Sequence, residues 1–354
     1  MSSTEPDLAE GRTGELVSGL EAFLSAEWGR PVRVSNPTSS SAGARRNNVL
    51  FDADDGRERL GLVATIMPNS QIQLNPMGAE AAMRDLARKA GVPVPRLYAT
   101  CLDSSYVGGP FFVSERVEGE TVPRRVLRLV HERGIGELVA GQLGEALGRL
   151  HAIDPGLAPA DLIDPGPGNP AEVALQWAGD AFGQLLEPRP ALALGLRWLE
   201  RELPGELPER SVIHGDVRNG NLIVGADGLR ALLDWEGSKR HGDPMEDLAW
   251  ASLRMWRFRY DDQEIGGFAG RAPFVSGYQS SGGAFDEERF HWWKVLGTLR
   301  WALGLAGQTA AHLDGRFVSI VMAASGRRVP ELEWDLLMLI RPPLGRLIRP
   351  RLAG

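Results

Sequence analysis

Short alternating or β-branched apolar runs fill the first third of this chain, and stripes at helical spacing take over beyond it. Leu16, Leu20, Phe23, Leu24 and Trp28 predict one amphipathic helix over 15–28. Residues 31–34, 48–51 and 60–66 predict three strands separated by turns. Ala79, Ala82, Met83, Leu86, Ala87 and Ala90 share one face of a helix over 78–90, which Val92-Pro93-Val94-Pro95 ends. Two more strands are predicted at 96–100 and 111–114. Val139, Leu143, Ala146, Leu147 and Leu150 then form a core-facing helical stripe, a Pro/Gly-rich loop covers 152–170, and amphipathic segments follow at 171–186 and 190–203.

The densest chemistry lies between Ser211 and Trp250. Residues 211–213 are an apolar run entering a polar, glycine-bearing loop, and 221–224 leave it as a second run. Residues 226–230 read as a turn, and 231–233 as a third run that ends at Asp234. Pairing of these runs as a hairpin would bring Asn221 and Asp234 together beside Asp216. An amide and a carboxylate aimed at one point suit Mg2+, which takes oxygen ligands and keeps phosphate oxygens in its shell. Asp216 would face an incoming hydroxyl. That order of residues is one phosphoryl transfer can use.

The stretch His214-Gly215-Asp216-Val217-Arg218-Asn219-Gly220-Asn221, the triplet Asp234-Trp235-Glu236 and the downstream Gly242-Asp243-Pro244-Met245-Glu246-Asp247 together resemble the catalytic core of the aminoglycoside phosphotransferase-like kinases, a group that includes the choline kinase type. In detail the chain is most similar to the subgroup related to the kinase-like domains of acyl-CoA dehydrogenase fusion proteins. The resemblance implies an α+β, two-lobed protein-kinase-like fold, with a small antiparallel-sheet N-lobe and a larger, mostly helical C-lobe. The expected division is a disordered tail over 1–14, a nucleotide-binding N-lobe over 15–118, and a C-lobe over 119–354 with the catalytic loop and acceptor site.

By the same resemblance, Asp216 is the catalytic base, Asn221 and Asp234 hold Mg2+, and ATP or GTP is the phosphoryl donor. His214 is expected to hold the loop by hydrogen bonding, and Asp247 to tie the following helix to it. Ser40, Ser41 and Arg45 lie in a small-residue loop with two readings, a phosphate cover built from backbone N–H groups or an ordinary surface turn. Glu80 is the helix glutamate expected to pair with a cation on the third strand, yet Thr65 occupies that strand position and carries no charge. Arg45, Arg46, Arg57 or Arg59 could supply the charge instead. Backbone groups of Glu115 and Val117, at the junction between lobes, would hydrogen-bond the base; a plain strand ending at Gly119 fits the sequence equally well.

Composition narrows the partners. The chain has 354 residues, 43% of them hydrophobic, enough for two sizeable cores. Its net charge of −7 argues against nucleic acid as the main partner. Cys101 is the one cysteine, no run is long enough to span a bilayer, and the N-terminal sequence lacks a signal peptide's apolar segment, so a cytoplasmic, membrane-free protein is expected. Trp250, Trp256, Phe258, Tyr260, Phe290, Trp292, Trp293 and Trp301 predict an aromatic cluster, mostly core, part of which could line the acceptor pocket. Mixed charge between Arg254 and Arg289 does not suit a polycationic acceptor. The expected activity is transfer of a phosphoryl group to the hydroxyl of a small molecule; the alternative is a catalytically silent nucleotide- or metabolite-binding module.

Overall fold

Alternating positions in the first strands sort onto the two faces of one antiparallel sheet. The computed structural model describes residues 10–40, 46–69, 71, 73–316 and 318–341, with 10–12 and 40 described by backbone alone. Helix α1 (Glu10–Trp28) precedes β1 (Arg33–Ser40), β2 (Asn47–Asp54) and β3 (Arg59–Ile66). Helix α2 (Met77–Lys89) follows, then β4 (Leu97–Cys101) and β5 (Phe111–Glu115). The sheet order is β1-β2-β3-β5-β4. Val49, Phe51, Leu62, Ala64, Ile66, Phe111 and Val113 pack with Leu20, Phe23 and Leu24 of α1. Helix α1 starts at Glu10, so it takes in residues 10–14, which the sequence reading assigned to a disordered tail.

The sheet's other face is different in kind. Asn48 pairs with Thr65, and Thr65 with Phe112, so these three side chains share the face turned away from α1. Phe112 is covered by Met67 and by Met77 of α2.

The larger lobe is mostly helical: α3 (Pro123–Arg133), α4 (Gly136–His151), α5 (Pro170–Gly183) and α6 (Pro190–Arg201) precede the short strands β6 (Ser211–Ile213), β7 (Leu222–Gly225), β8 (Gly228–Leu232) and β9 (Lys239–Gly242). Helices α7 (Pro244–Ala251), α8 (Arg271–Ser280), α9 (Glu287–Leu313), α10 (Ile320–Ser325) and α11 (Val329–Ile340) complete it. Helices α4 and α8 nearly touch through glycine: a Cβ on Gly144 would sit 2.0 Å from the Phe274 carbonyl oxygen. The aromatic Trp292 and Trp293 are fully within the core, each worth roughly 1.5–3 kcal/mol in burial. Helix α3 has a narrow apolar stripe of Val126, Leu127 and Val130 among arginines, a pattern too short to stand out in the sequence.

Two pairings frame the region between the lobes. Strand β6 pairs with β9, and β7 with β8. The turn between β7 and β8 is only Ala226-Asp227, so Gly228–Arg230 are strand and not the turn expected from the sequence. Just after β5, Glu120 exchanges backbone hydrogen bonds with Val224 of β7 at 2.9 and 3.0 Å. Gly119 makes that approach possible: its φ is +148°, and a Cβ there would lie 2.9 Å from the Val224 carbonyl oxygen. Ahead of α2, Asn75 Nδ2 donates to the Glu236 and Ser238 carbonyls at 2.9 and 2.8 Å, while its Oδ1 accepts the Ile163 N–H at 2.8 Å.

Candidate functional site

The loop between β6 and β7 is held from behind by α7. Asp243 caps that helix, accepting the Met245 N–H at 2.9 Å, with Pro244 at its first position. One turn on, buried Asp247 accepts the backbone N–H groups of His214 and Gly215, both at 2.7 Å. His151 Nε2 lies 3.1 Å from the same carboxylate. Burial works against ionisation of Asp247, but its bond to His151 and the His214 amide outweigh it and hold its pKa below the ordinary value. With Nε2 donating to that carboxylate, Nδ1 is left to accept from the Tyr278 hydroxyl at 3.0 Å, and burial pushes that phenol's pKa up.

His214 is engaged at both ring nitrogens. The Asp216 N–H donates to Nδ1 at 3.2 Å, which leaves the proton on Nε2 to donate to the Leu233 carbonyl at 3.0 Å. Gly215 sits between them with φ +83°, and a Cβ there would come 2.2 Å from the Gly237 carbonyl oxygen.

Three donors converge on Asp216. Asn221 Nδ2 reaches Oδ2 at 2.7 Å and Trp250 Nε1 reaches Oδ1 at 2.7 Å. Arg218 Nε lies 3.1 and 3.2 Å from the two oxygens, and its guanidinium rests 4.9 Å above the Trp256 ring. The β7–β8 ladder continues one step past its end, because the Leu233 N–H donates to the Asn221 carbonyl at 2.8 Å. That step sets Asn221 next to Asp234. Asp234 has φ +62°, in the left-handed region that aspartate tolerates better than most residues. Burial pushes its carboxyl up from the ordinary range, opposed by Arg46 and reinforced by the charges of Asp216 and Glu80.

The smaller lobe contributes a charged cluster. Arg46, just ahead of β2, binds Glu80 with both Nη atoms at 2.8 and 2.6 Å, and its Nε lies 3.2 Å from Glu236 Oε2. Burial opposes the Arg46 charge, but the Glu80 bonds and the Glu80, Glu236 and Asp234 carboxylates raise its pKa. The expected third-strand partner is absent: Thr65 Oγ1 instead donates to Asn48 Oδ1 at 2.8 Å. Arg59 pairs with Asp52 at the exposed end of the strands, and Arg57 is exposed at the β2–β3 turn. Arg84, one turn beyond Glu80, is buried with its guanidinium 4.2 Å over the Phe112 ring, and among the described residues its Nε has no hydrogen-bond partner. Burial pushes it down to about 10.

Of the remaining sequence-predicted residues, Ser41 and Arg45 lie outside the described residues, as does the side chain of Ser40 at the end of β1. The Glu115 N–H donates to the Arg96 carbonyl at 2.8 Å, so that donor is already used inside the sheet. Among the described residues the Val117 N–H has no backbone partner. Arg84 and the bond from Trp250 to Asp216 were not anticipated. Glu80 and Arg84 at helical spacing were a readable signal for two polar groups on one buried face.

A cavity of about 980 Å3 opens beyond Trp256, lined by Arg124, Arg128, Arg254, Met255, Arg259 and Tyr260 among others. Asp216, Asn221 and Asp234 do not line it. Met255 and Phe258 of its lining flank Trp256, which meets Trp250 of α7 and Trp301 of α9 at ring distances of 5.0 to 6.1 Å in the run that follows α7. Phe258 and Arg259 in that run both have positive φ, +47° and +83°. Among the described residues, no helix is long and apolar enough to cross a membrane, and no group of three or more His, Cys, Asp or Glu converges as a metal site.

A family model described as the phosphotransferase enzyme family (APH) matches residues 39–291. Acyl-CoA dehydrogenase family member 10 of Mus musculus is 26% identical over 341 residues, covering 92% of this chain and 30% of that protein. Member 11 of Gallus gallus is 33% identical over 168 residues, covering 46% of this chain and 21% of that protein. The chain therefore spans under a third of these curated relatives. Among solved structures, a provisional aminoglycoside phosphotransferase of Ralstonia eutropha is 21% identical with a TM-score of 0.67, covering 92% of this chain and 98% of the other. A thermostable mutant of aminoglycoside phosphotransferase APH(4)-Ia, in ternary complex with AMP-PNP and hygromycin B, is 15% identical with a TM-score of 0.62, covering 92% of this chain and 100% of the other. These structures share the two-lobed kinase-like fold.

Proposed function

Because the chain belongs to the APH phosphotransferase enzyme family, we propose that it transfers the γ-phosphoryl group of ATP or GTP to a hydroxyl of a small molecule, assisted by Mg2+. The observation that carries this reading is the Asp216 carboxylate, fixed by Asn221, Trp250 and Arg218 beside Asp234. A carboxylate so held can orient an acceptor hydroxyl and take its proton as the oxygen bonds to phosphorus and the nucleoside diphosphate leaves.

The donor set fits a magnesium ion. Asn221 spends its Nδ2 on Asp216, which leaves Oδ1 as the coordinating atom, and among the described residues no hydrogen-bond donor reaches the Asp234 carboxylate. One amide oxygen and one carboxylate, completed by water and phosphate oxygens, is a usual magnesium environment. The ion, when bound, would neutralise charge on the phosphates. His214 and Asp247 would act behind this pair by holding the loop's shape.

The large cavity bears on the acceptor. It has five arginines, Arg124, Arg128, Arg254, Arg259 and Arg328, against Glu132, Asp261 and Glu331. Among the described residues the buried indole N–H groups of Trp256 and Trp301 have no hydrogen-bond partner. Such a lining favours an acceptor with negative charge and disfavours polycationic aminoglycosides, although hygromycin B accompanies one structural neighbour. A hydroxyacyl-CoA is the first acceptor to assay, and a macrolide a neutral comparison. We place the protein in the cytoplasm.

The test is calorimetric titration with AMP-PNP, with and without Mg2+, on the wild type and Asp234→Ala, followed by an acceptor screen by mass spectrometry. Binding that needs Mg2+ and is lost in the variant supports the site. A product whose formation Asp216→Asn abolishes supports the enzyme over the silent module, whereas tight nucleotide binding with no transfer to any acceptor supports the module.

A further inference from the structure

We infer that Arg46 is the phosphate-orienting cation of the nucleotide site, moved to the start of the second strand from the third, where Thr65 now stands. This deepens the phosphotransferase reading and rests on it. In kinases a strand lysine, held by a helix glutamate, reaches the nucleotide phosphates, and both members must be in place. Here the helix glutamate is present and buried as Glu80, and its bidentate partner is Arg46.

The strand register shows how the exchange works. Asn48 lies opposite Thr65 and Asn47 opposite Ile66, so Arg46 stands on the neighbouring strand only a diagonal step from position 65. Thr65 closes a hydroxyl–amide hydrogen bond with Asn48, while the Glu80 carboxylate is taken by Arg46. A cation lost from one strand is thus offset by one gained on the next.

Arg46 also has unused capacity. A guanidinium carries five N–H donors, and two of these bind Glu80. Its Nε faces Glu236 Oε2 at 3.2 Å as an ion pair without hydrogen-bond geometry, and the second N–H of each Nη is not spent on Glu80. Glu236 and Asp234, from the segment that carries the metal-binding carboxylate, lie close enough to stabilise its charge. A guanidinium fixed between the two lobes, with planar donors left over, matches the oxygens of a triphosphate.

The experiment compares AMP-PNP and adenosine binding by calorimetry, in Mg2+, for the wild type, Arg46→Ala, Arg46→Lys and the exchange variant Arg46→Thr/Thr65→Arg, each checked for folding by circular dichroism. Arg46→Ala should weaken AMP-PNP by roughly 10- to 100-fold, the worth of a charge-assisted hydrogen bond, and leave adenosine unchanged. Arg46→Lys and the exchange variant should each recover part of the loss. Should Arg46→Ala fail to fold, Arg46→Gln, which keeps a hydrogen bond to Glu80, takes its place with the same expectation. Equal weakening of adenosine and AMP-PNP would reduce Arg46 to a structural clamp, and unchanged AMP-PNP affinity would remove it from the site; either overturns the inference while the phosphotransferase reading stands. Folded wild type that binds no AMP-PNP would overturn both.

Discussion

Trp250 Nε1 lies 2.7 Å from Asp216 Oδ1, so a side chain of α7 donates to the same carboxylate that Asn221 and Arg218 grip from the loop. The helix that supports the loop from behind through Asp247 therefore also sets the angle of the proposed base. Trp250→Phe keeps an aromatic ring and removes this donor. A hydrogen bond to a charged group is worth about 1.5–3 kcal/mol, so kcat should fall roughly 10- to 100-fold with KM for nucleotide little changed. Steady-state kinetics on the acceptor that the screen identifies would check it.

Arg46 and Arg84 sit one beside the other and should respond oppositely to the same change. Arg46 neutralises Glu80, so Arg46→Met leaves a buried carboxylate unpaired and should lower stability by about 3–5 kcal/mol. Among the described residues no carboxylate is bonded to Arg84, and its burial already presses its pKa down to about 10. Arg84→Met should therefore be neutral or stabilising by about 1–3 kcal/mol. Urea unfolding of the two variants separates these signs.

Glu264 gives a pH signature away from the site. Burial raises its pKa, but Arg271 and Lys294, at 2.9 and 2.5 Å, overcome that and hold it down to about 2. A carboxyl depressed on folding contributes stability that is present above its unfolded value near 4.3 and lost as pH falls toward 2. The contribution is on the order of 3 kcal/mol. Thermal unfolding between pH 7 and pH 3 should show the wild type losing more stability than Glu264→Gln, which is already weaker at pH 7 because Lys294 is left buried without its partner.

Gly215 tests how tightly the loop is built. Its positive φ, and the Gly237 oxygen only 2.2 Å from where a Cβ would stand, leave no room for a methyl group. Gly215→Ala should lower stability by roughly 1–3 kcal/mol and reduce turnover more than nucleotide affinity, since Asp216 is the next residue. Differential scanning calorimetry with kinetics would show both effects.

The placement of the larger lobe's candidate residues was readable because it is local. Asp216, Asn221 and Asp234 are separated by fixed steps of loop and hairpin, so spacing alone predicts their meeting, and the hairpin differs from expectation only where β8 begins at Gly228. The cation of the smaller lobe was not readable to one residue. Glu80 and its partner are 34 positions apart and meet only after two strands and a helix have packed, so Arg46 and its neighbouring arginines look alike in the chain. The same holds for Trp250, whose indole N–H reads as core aromatic until α7 is placed against the loop. Helix α1 extends back to Glu10 over residues with little apolar signal, and α3 hides behind its arginines.

Asn75 ties three backbone groups of the larger lobe, from Ile163, Glu236 and Ser238, to the entrance of α2. One amide thus works as a rivet between the helix bearing Glu80 and the segment bearing Asp234. Because Arg46 on Glu80 and Arg84 over Phe112 fasten the same helix to the sheet, α2 is the piece through which the sheet of the smaller lobe and the segment bearing Asp234 are held in one alignment.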